Sequence, residues 1–438
     1  MASASGAAAS GPKNSLRLLE QGYAMVGLLL VIGAIKPLFS DQAEIQQLQS
    51  NVAQVTDGTL GFQLLGSTIY LIALIMLLPR YRDVIALLSK NKALVLFMIV
   101  VVLSMMWSEL PSVTLRRALA LVGTTVFGVY LAIRFSPSEL LNLLALALGF
   151  SAIESLLFVL FSPRIAIHWG SNYGAWSGAF GHKNILGRTM VLGMLVLWAV
   201  LPQLRRFRLP ILATIALSLL LVVMSQSRTS WIAAFGLLLA IPFLHYMQRS
   251  QIPLMIRVLL VALAGLGGLG FVVLEYADIG LQAVGRDDTF SGRTDIWAAA
   301  IEVGSDKPLL GHGYRTFWTR GLTNRLLTGN GHNSFLDIWL ELGTVGLGLL
   351  LTTFFVTGQR ALKRLARSND RRGQWYVMFL LFMFVFGMAA QVFPDHGTVP
   401  WVLYIALSMY LTPFAVAQQQ ADLRGHPAVP LSRPAPAE

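Results

Sequence analysis

PILATIALSLLLVVMSQSRTSWIAAFGLLLAIPFLHYM (Pro210–Met247) is a long apolar stretch interrupted once, by SQSRTS (Ser225–Ser230). A helix needs about 20 apolar residues to cross a bilayer, with a range of roughly 17–25. The runs Pro210–Met224 and Trp231–Met247 sit near the lower end of that range. So short a polar break leaves room only for a turn. The stretch therefore reads as a membrane hairpin with Arg228 at its tip. An arginine at such depth costs on the order of 2.5–3.5 kcal/mol on insertion scales unless it is paired or wetted. Two readings of Arg228 stand at this point. It is an anion ligand facing a cavity, or it snorkels to lipid headgroups.

The rest of the chain has the same character. Of its 438 residues 55% are hydrophobic and only 12% charged, against roughly 25% charged in a soluble domain. Mean hydropathy is +0.65. A soluble enzyme, a disordered chain and a disulfide scaffold are excluded, and the absence of cysteine excludes thiol chemistry and thiolate metal sites. About ten further apolar runs join the hairpin, giving about twelve candidate spans. They are Gly22–Phe39, Leu60–Leu78, Ala93–Trp107, Ala118–Ile133, Leu140–Phe161 and Leu186–Leu201, then the hairpin, then Val258–Leu274, Phe335–Phe355, Trp375–Ala390 and Trp401–Val416. The expected fold is an all-α integral membrane protein. Residues 21–417 form the transmembrane domain, and a large outer loop, residues 276–333, lies between the ninth and tenth helices. With both termini in the cytoplasm, the inside segments hold roughly 20 Lys and Arg and the outside about 13. The net charge of +12 is thus assigned to loops facing anionic lipid, not to nucleic acid. Residues 1–20 and 418–438 read as disordered cytoplasmic tails.

Four polar segments fall on the outer side of this map: Pro163–Ile185, Ser225–Ser230, Phe290–Trp297 and Gly329–Glu341. The long loop also carries Trp297, Tyr314, Phe317 and Trp318, and an apolar-periodic stretch, Asp295–Val303, that predicts a helix. It reads as a small folded cap. Arg293 is either an anion ligand or a partner of Asp295 or Asp287. His332-Asn333 opens a helix, where Asn333 or Ser334 can serve as N-cap and leave His332 incidental. Together, guanidinium groups, an imidazole and aromatic rings on one face suit a sugar attached to an anionic lipid head. His312 and His396 read as structural. No Asp/Glu/His group with metal-ligand spacing is evident on this face, and no cofactor is expected.

Five words stand in a fixed order: WSELPSVTLRRA (Trp107–Ala118), GAFGHKNILGR (Gly178–Arg188), SQSRTSW (Ser225–Trp231), SGRTDIW with PLLGHGYRTFW (Ser291–Trp318), and GHNSFLDIWLELGTVGLG (Gly331–Gly348). In these the chain resembles the superfamily of O-antigen ligases and O-antigen polymerases, bacterial inner-membrane glycosyltransferases. GAFGHKNILGR and SGRTDIW are more similar to its exopolysaccharide polymerase branch. The resemblance implies a metal-independent, inverting transfer at the periplasmic face. A glycan leaves undecaprenyl pyrophosphate for a hydroxyl of a lipid-linked repeat unit (polymerase) or of lipid A-core (ligase). Transfer to a protein hydroxyl by an O-oligosaccharyltransferase and a lipid-linked oligosaccharide flippase are the more distant alternatives. It further implies that Arg228, Arg293 and His332 are the essential residues. His182, Lys183, Asn184, Asn333, Arg116, Arg117, Trp176 and Arg315 are expected around pyrophosphate and sugar. Membrane lipids and a chain-length regulator are the other implied partners.

Overall fold

A computed structural model describes residues 12–39, 59–169, 172–249, 291–319, 331–367, 371–413 and 415. Among these the chain is helical, and its only strand-like feature is a single bridge between Ile167 and Trp176. The helices are α1 (Pro12–Ile32), α2 (Leu60–Leu77), α3 (Tyr81–Ser89), α4 (Lys92–Leu103), α5 (Pro111–Arg134), α6 (Pro137–Phe161), α7 (Lys183–Val200), α8 (Arg208–Met224), α9 (Arg228–Arg249), α10 (Ser291–Gly304), α11 (Ser334–Arg367), α12 (Arg371–Ala389) and α13 (Val399–Tyr410). Among the described residues, nine helical stretches are long and apolar enough to cross a membrane, and two shorter apolar helices, Lys92–Met106 and Val399–Tyr410, accompany them. The expected span Val258–Leu274 lies outside the described residues, as do part of the 276–333 loop, residues 1–11 and the whole C-terminal tail, 418–438. Several boundaries differ from the sequence reading: α5 starts at Pro111 rather than Ala118, and α11 runs on to Arg367 rather than ending at Phe355. α1 starts at Pro12, so residues 12–20, read as tail, are helical.

Bilayer as solvent explains the outward surface. Leu71, Leu74 and Ile75 on α2 and Phe235, Leu238 and Leu239 on α9 are exposed, which an aqueous surrounding would penalise at about 25 cal/mol per Å². Inside, Phe127 and Tyr130 of α5 pack with Trp401 and Tyr404 of α13 in one continuous core. Helix starts follow local chemistry. Pro111 and Pro137 occupy first-turn positions, and Ser136 with Glu139 closes a capping box at α6.

The segments that the charge map assigns to one side do meet at one end. Arg17 bonds Glu139 at 2.7 Å and the Arg134 carbonyl at 3.0 Å, while Arg134 pairs with Glu20. Arg360 donates to Asn91 at 2.7 Å and to the Lys90 carbonyl at 2.6 Å. Arg372 reaches Ser138 at 3.3 Å. The described residues of the four polar segments lie at the opposite end, where Trp176 N–H meets the Met224 carbonyl and Trp297 Nε1 the Gly331 carbonyl.

α11 is broken at Gly343 (φ 64°, ψ −167°) into two half-helices. A strap, Pro308–Gly313, satisfies the backbone groups freed at the break. His312 and Gly313 N–H donate to the Leu340 and Glu341 carbonyls at 3.0 and 2.8 Å. Thr344 and Val345 N–H donate to the Pro308 and Leu309 carbonyls at 2.8 and 3.2 Å. Irregular backbone at membrane depth is tolerated only when so satisfied. The strap is stitched onward: Trp107 Nε1 donates to the Leu310 carbonyl at 2.8 Å, and Tyr314 N–H to Ser104 at 3.1 Å. α10, Phe317 and Trp318 form a second small core against the first turns of α11.

Candidate active site

GAFGHKNILG and SQSRTS dock on each other. A Cβ on Gly187 would stand 2.4 Å from Ser230 Oγ and 2.9 Å from Ser225 Oγ, so only glycine lets α7 come this close. Trp176 N–H donates to the Met224 carbonyl at 2.9 Å, fastening the preceding loop to the end of α8. The serines tie the turn internally. Ser230 Oγ bonds Ser227 Oγ at 2.9 Å, and Ser225 Oγ donates to the Val222 carbonyl at 2.7 Å. Arg228, exposed, becomes the first residue of α9. Lys183, first residue of α7, lies close enough for its charge to act with that of Arg228. Two helix N-termini, each with a positive dipole end, thus bring two cations together.

Imidazoles cap α7. His182 is its N-cap, and its Nδ1 accepts the Asn184 N–H at 3.2 Å. Behind it, fully buried His168 accepts the Lys183 N–H on Nε2 at 3.1 Å. The two rings stand perpendicular, 5.6 Å between centroids. Burial, with Lys183 adding to it, holds the His168 pKa down to about 4. Burial first, then His168, Lys183, His332 and Arg188, hold His182 down to about 3. Both rings are neutral at pH 7, so they cap the helix without bringing an anion to a cationic site.

His332 reaches this place from α11. It has φ +50° and precedes Asn333, whose Oδ1 accepts the Phe335 and Leu336 N–H groups at 3.0 and 3.2 Å. Asn333 is therefore the N-cap, and its side chain is engaged in the fold. The cap sets His332 just outside the helix, where its charge acts on His182. Ser334 Oγ donates to the Ala390 carbonyl at 3.0 Å and accepts the Val392 N–H at 2.8 Å, anchoring the turn to the α12–α13 loop. Arg293 lies in the first turn of α10, one turn before Trp297, whose Nε1 donates to the Gly331 carbonyl at 2.7 Å. The predicted cap helix is thus longer than Asp295–Val303.

Of the expected residues, His182, Lys183, Arg228 and His332 come together. Asn184 is exposed on the first turn of α7, and Trp176 is half-buried in the bridge to Ile167. Arg116 is exposed on α5. Arg117 is buried and donates to the Arg315 carbonyl. Arg315, itself buried, pairs with Asp395 at 3.4 Å. Asp395 also acts electrostatically on Arg188, which in turn acts on His182. Sequence reasoning gave no role to His168, Asp395 or Asp337. The available signal was ionisable groups next to apolar runs, in PRIAIHW, VFPDHG and FLDIWLE.

Two comparisons with known proteins bear on this site. A family model described as O-antigen ligase matches residues 212–351, which span Arg228, Arg293 and His332. The exopolysaccharide production protein ExoQ of Rhizobium meliloti (strain 1021) is 30% identical over 350 residues, 73% of this chain and 77% of that protein.

Proposed function

This chain belongs to the O-antigen ligase and polymerase superfamily, and we propose that it is a glycosyltransferase working at the periplasmic face of the bacterial inner membrane. Its donor is a glycan on undecaprenyl pyrophosphate, and its acceptor is the terminal sugar of a lipid-linked repeat unit. The observation behind this reading is the gathering of Lys183, Arg228, His182 and His332 from three sequence-distant segments at one end of a membrane bundle.

The chemistry follows from the leaving group. The acceptor oxygen bonds to the anomeric carbon as the bond from that carbon to the phosphate oxygen breaks, with inversion. The hydroxyl proton passes to His332, and undecaprenyl pyrophosphate departs with the bonding pair. Negative charge grows on its bridging oxygen. Fixed cations in a low-dielectric site stabilise such charge without reorganising, and Arg228 and Arg293 take that role. Two guanidinium groups replace a divalent cation, so the reaction proceeds in EDTA. Neutral His182, with Lys183, orders the headgroup at the start of α7. A chain-length regulator is the expected protein partner.

The polymerase reading rests on a relative named for exopolysaccharide production. The ligase reading, with lipid A-core as acceptor, is favoured by the description of the family model. Reconstitution in lipid nanodiscs separates them. The donor is undecaprenyl-pyrophosphate-linked repeat units isolated from a strain lacking this protein. A ladder of multiples from donor alone establishes polymerisation. Donor consumed only after lipid A-core is added establishes ligation. Inertness under both conditions sinks both the polymerase and the ligase readings.

A further inference from the structure

We infer that Asp337 is a positioning residue for His332, acting through a clasp of two tryptophans on the Gly331–His332 turn; this rests on the transferase reading above. Asp337 is 1% exposed, one turn into the first half of α11. Its Oδ1 accepts the Gly331 N–H at 2.9 Å and Trp318 Nε1 at 2.8 Å. From the other side, Trp297 Nε1 donates to the Gly331 carbonyl at 2.7 Å. Both backbone polar groups of Gly331 are thus held, one by a carboxylate and one by an indole. A Cβ on Gly331 would stand 2.6 Å from Asp337 Oδ1 and 3.1 Å from the Trp318 ring, so the turn fills its space.

The next residue is His332, in the left-handed region at φ +50°. A non-glycine residue persists there only when its surroundings over-determine it. The clasp supplies that determination from one side and the Asn333 cap from the other. The indoles come from the two elements that frame the site. Trp297 is on the helix that begins with Arg293, and Trp318 follows the strap on the α11 break. Asp337 therefore sets where the imidazole stands relative to the Arg293 helix without touching substrate.

Supporting residues of this kind typically alter activity about 10- to 100-fold. The test uses the full chain in nanodiscs with isolated undecaprenyl-pyrophosphate-linked repeat units as donor. Asp337→Ala should lower kcat about 10- to 100-fold while donor KM stays within about threefold. Asp337→Asn keeps an oxygen acceptor at Oδ1 and should restore kcat to within about threefold. Amide hydrogen exchange of the segment holding Gly331 should rise in Asp337→Ala and not in Asp337→Asn. Should Asp337→Ala fail to fold, Trp318→Phe, which keeps the ring and removes the N–H, is expected to lower kcat with unchanged KM. Full kcat in the folded Asp337→Ala or Trp318→Phe protein, beside an inactive His332→Ala protein, overturns the positioning role. An active His332→Ala protein overturns the underlying site assignment instead.

Discussion

Nε2 of His168 accepts the backbone N–H of Lys183 at 3.1 Å, deep behind the start of α7. The bond requires a neutral ring protonated on Nδ1, and protonating Nε2 would break it. His168 sits at about 4 and His182 at about 3, both below their ordinary 6.5. The linkage sign is then fixed. Above pH 6.5 both rings are neutral in folded and unfolded chains, and stability does not depend on them. As pH falls from 6.5 toward 4, the unfolded chain takes up protons that the fold refuses. Stability is lost in that window by up to about 1.4 kcal/mol per pH unit for each histidine. Thermal unfolding of detergent-solubilised protein should show a falling midpoint between pH 6.5 and 4.5. His168→Gln should flatten the slope, and equal slopes for variant and wild type would contradict the buried neutral cap.

Arg228, expected as an essential residue, and Arg315, expected around pyrophosphate and sugar, separate by burial. Arg315 is buried against Asp395 at 3.4 Å, whereas Arg228 is exposed at the tip of the α8–α9 hairpin. Breaking a buried pair from one side leaves an uncompensated charge and costs roughly 3–5 kcal/mol. Asp395→Ala should therefore lower the melting temperature sharply. Arg228→Ala should stay within about 0.5 kcal/mol of wild type in stability. Its transfer rate should fall on the order of 10²- to 10³-fold, the scale for removing one preorganised charge-stabilising group. Melting curves and donor turnover on the same preparations check both halves. A large drop in melting temperature for Arg228→Ala would assign it to the scaffold as well.

The break in α11 depends on one residue without a side chain. Gly343 has φ 64° and ψ −167°, a region that only glycine populates freely. An added Cβ would stand 2.2 Å from the Leu309 carbonyl carbon and oxygen, within the strap that closes the break. Gly343→Ala should cost at least about 1–3 kcal/mol from the backbone alone. Displacing Leu309 also strains the four strap hydrogen bonds, so the loss should exceed that of alanine at Gly348, where nothing lies within 4 Å. Fluorescence-detected size exclusion after a heat step compares the two variants directly.

How much of this was legible follows from range. Hydropathy is local, so the apolar runs marked where most described helices lie, while ends such as Pro12, Pro111 and Arg367 fall seven to twelve residues beyond the runs. Polar words marked the end where the candidate site lies, because hydrocarbon tolerates so few charges. The burial of Arg117 and Arg315 was not legible. An arginine in a family word looks alike whether it binds substrate or another loop's carbonyl, and only burial tells them apart. The break at Gly343 was hidden for a similar reason. ELGTVG reads as a continuous apolar helix, and its interruption is imposed by a strap from a segment some thirty residues away. Asp337 was masked by the apolar residues around it, since its partners are one distant indole, that of Trp318, and a backbone amide.

Sidedness is testable because the chain contains no cysteine. Tyr173, 71% exposed, lies beside the candidate site, and Lys363, exposed on α11, lies at the opposite end. Surface substitutions remote from core contacts change stability by only about 0.5 kcal/mol, so Tyr173→Cys and Lys363→Cys should both insert normally. In intact cells whose outer membrane is permeable to small reagents, a charged, membrane-impermeant maleimide should label Tyr173→Cys and leave Lys363→Cys unreacted. Opening the inner membrane should expose Lys363→Cys. The arginines near Lys363 are the strongest orientation signal in the chain, because Lys and Arg are retained on the cytoplasmic side. The reverse labelling pattern would put His332 and Arg228 in the cytoplasm, away from a donor presented at the outer leaflet, and would refute the periplasmic transferase whatever the activity of the purified protein.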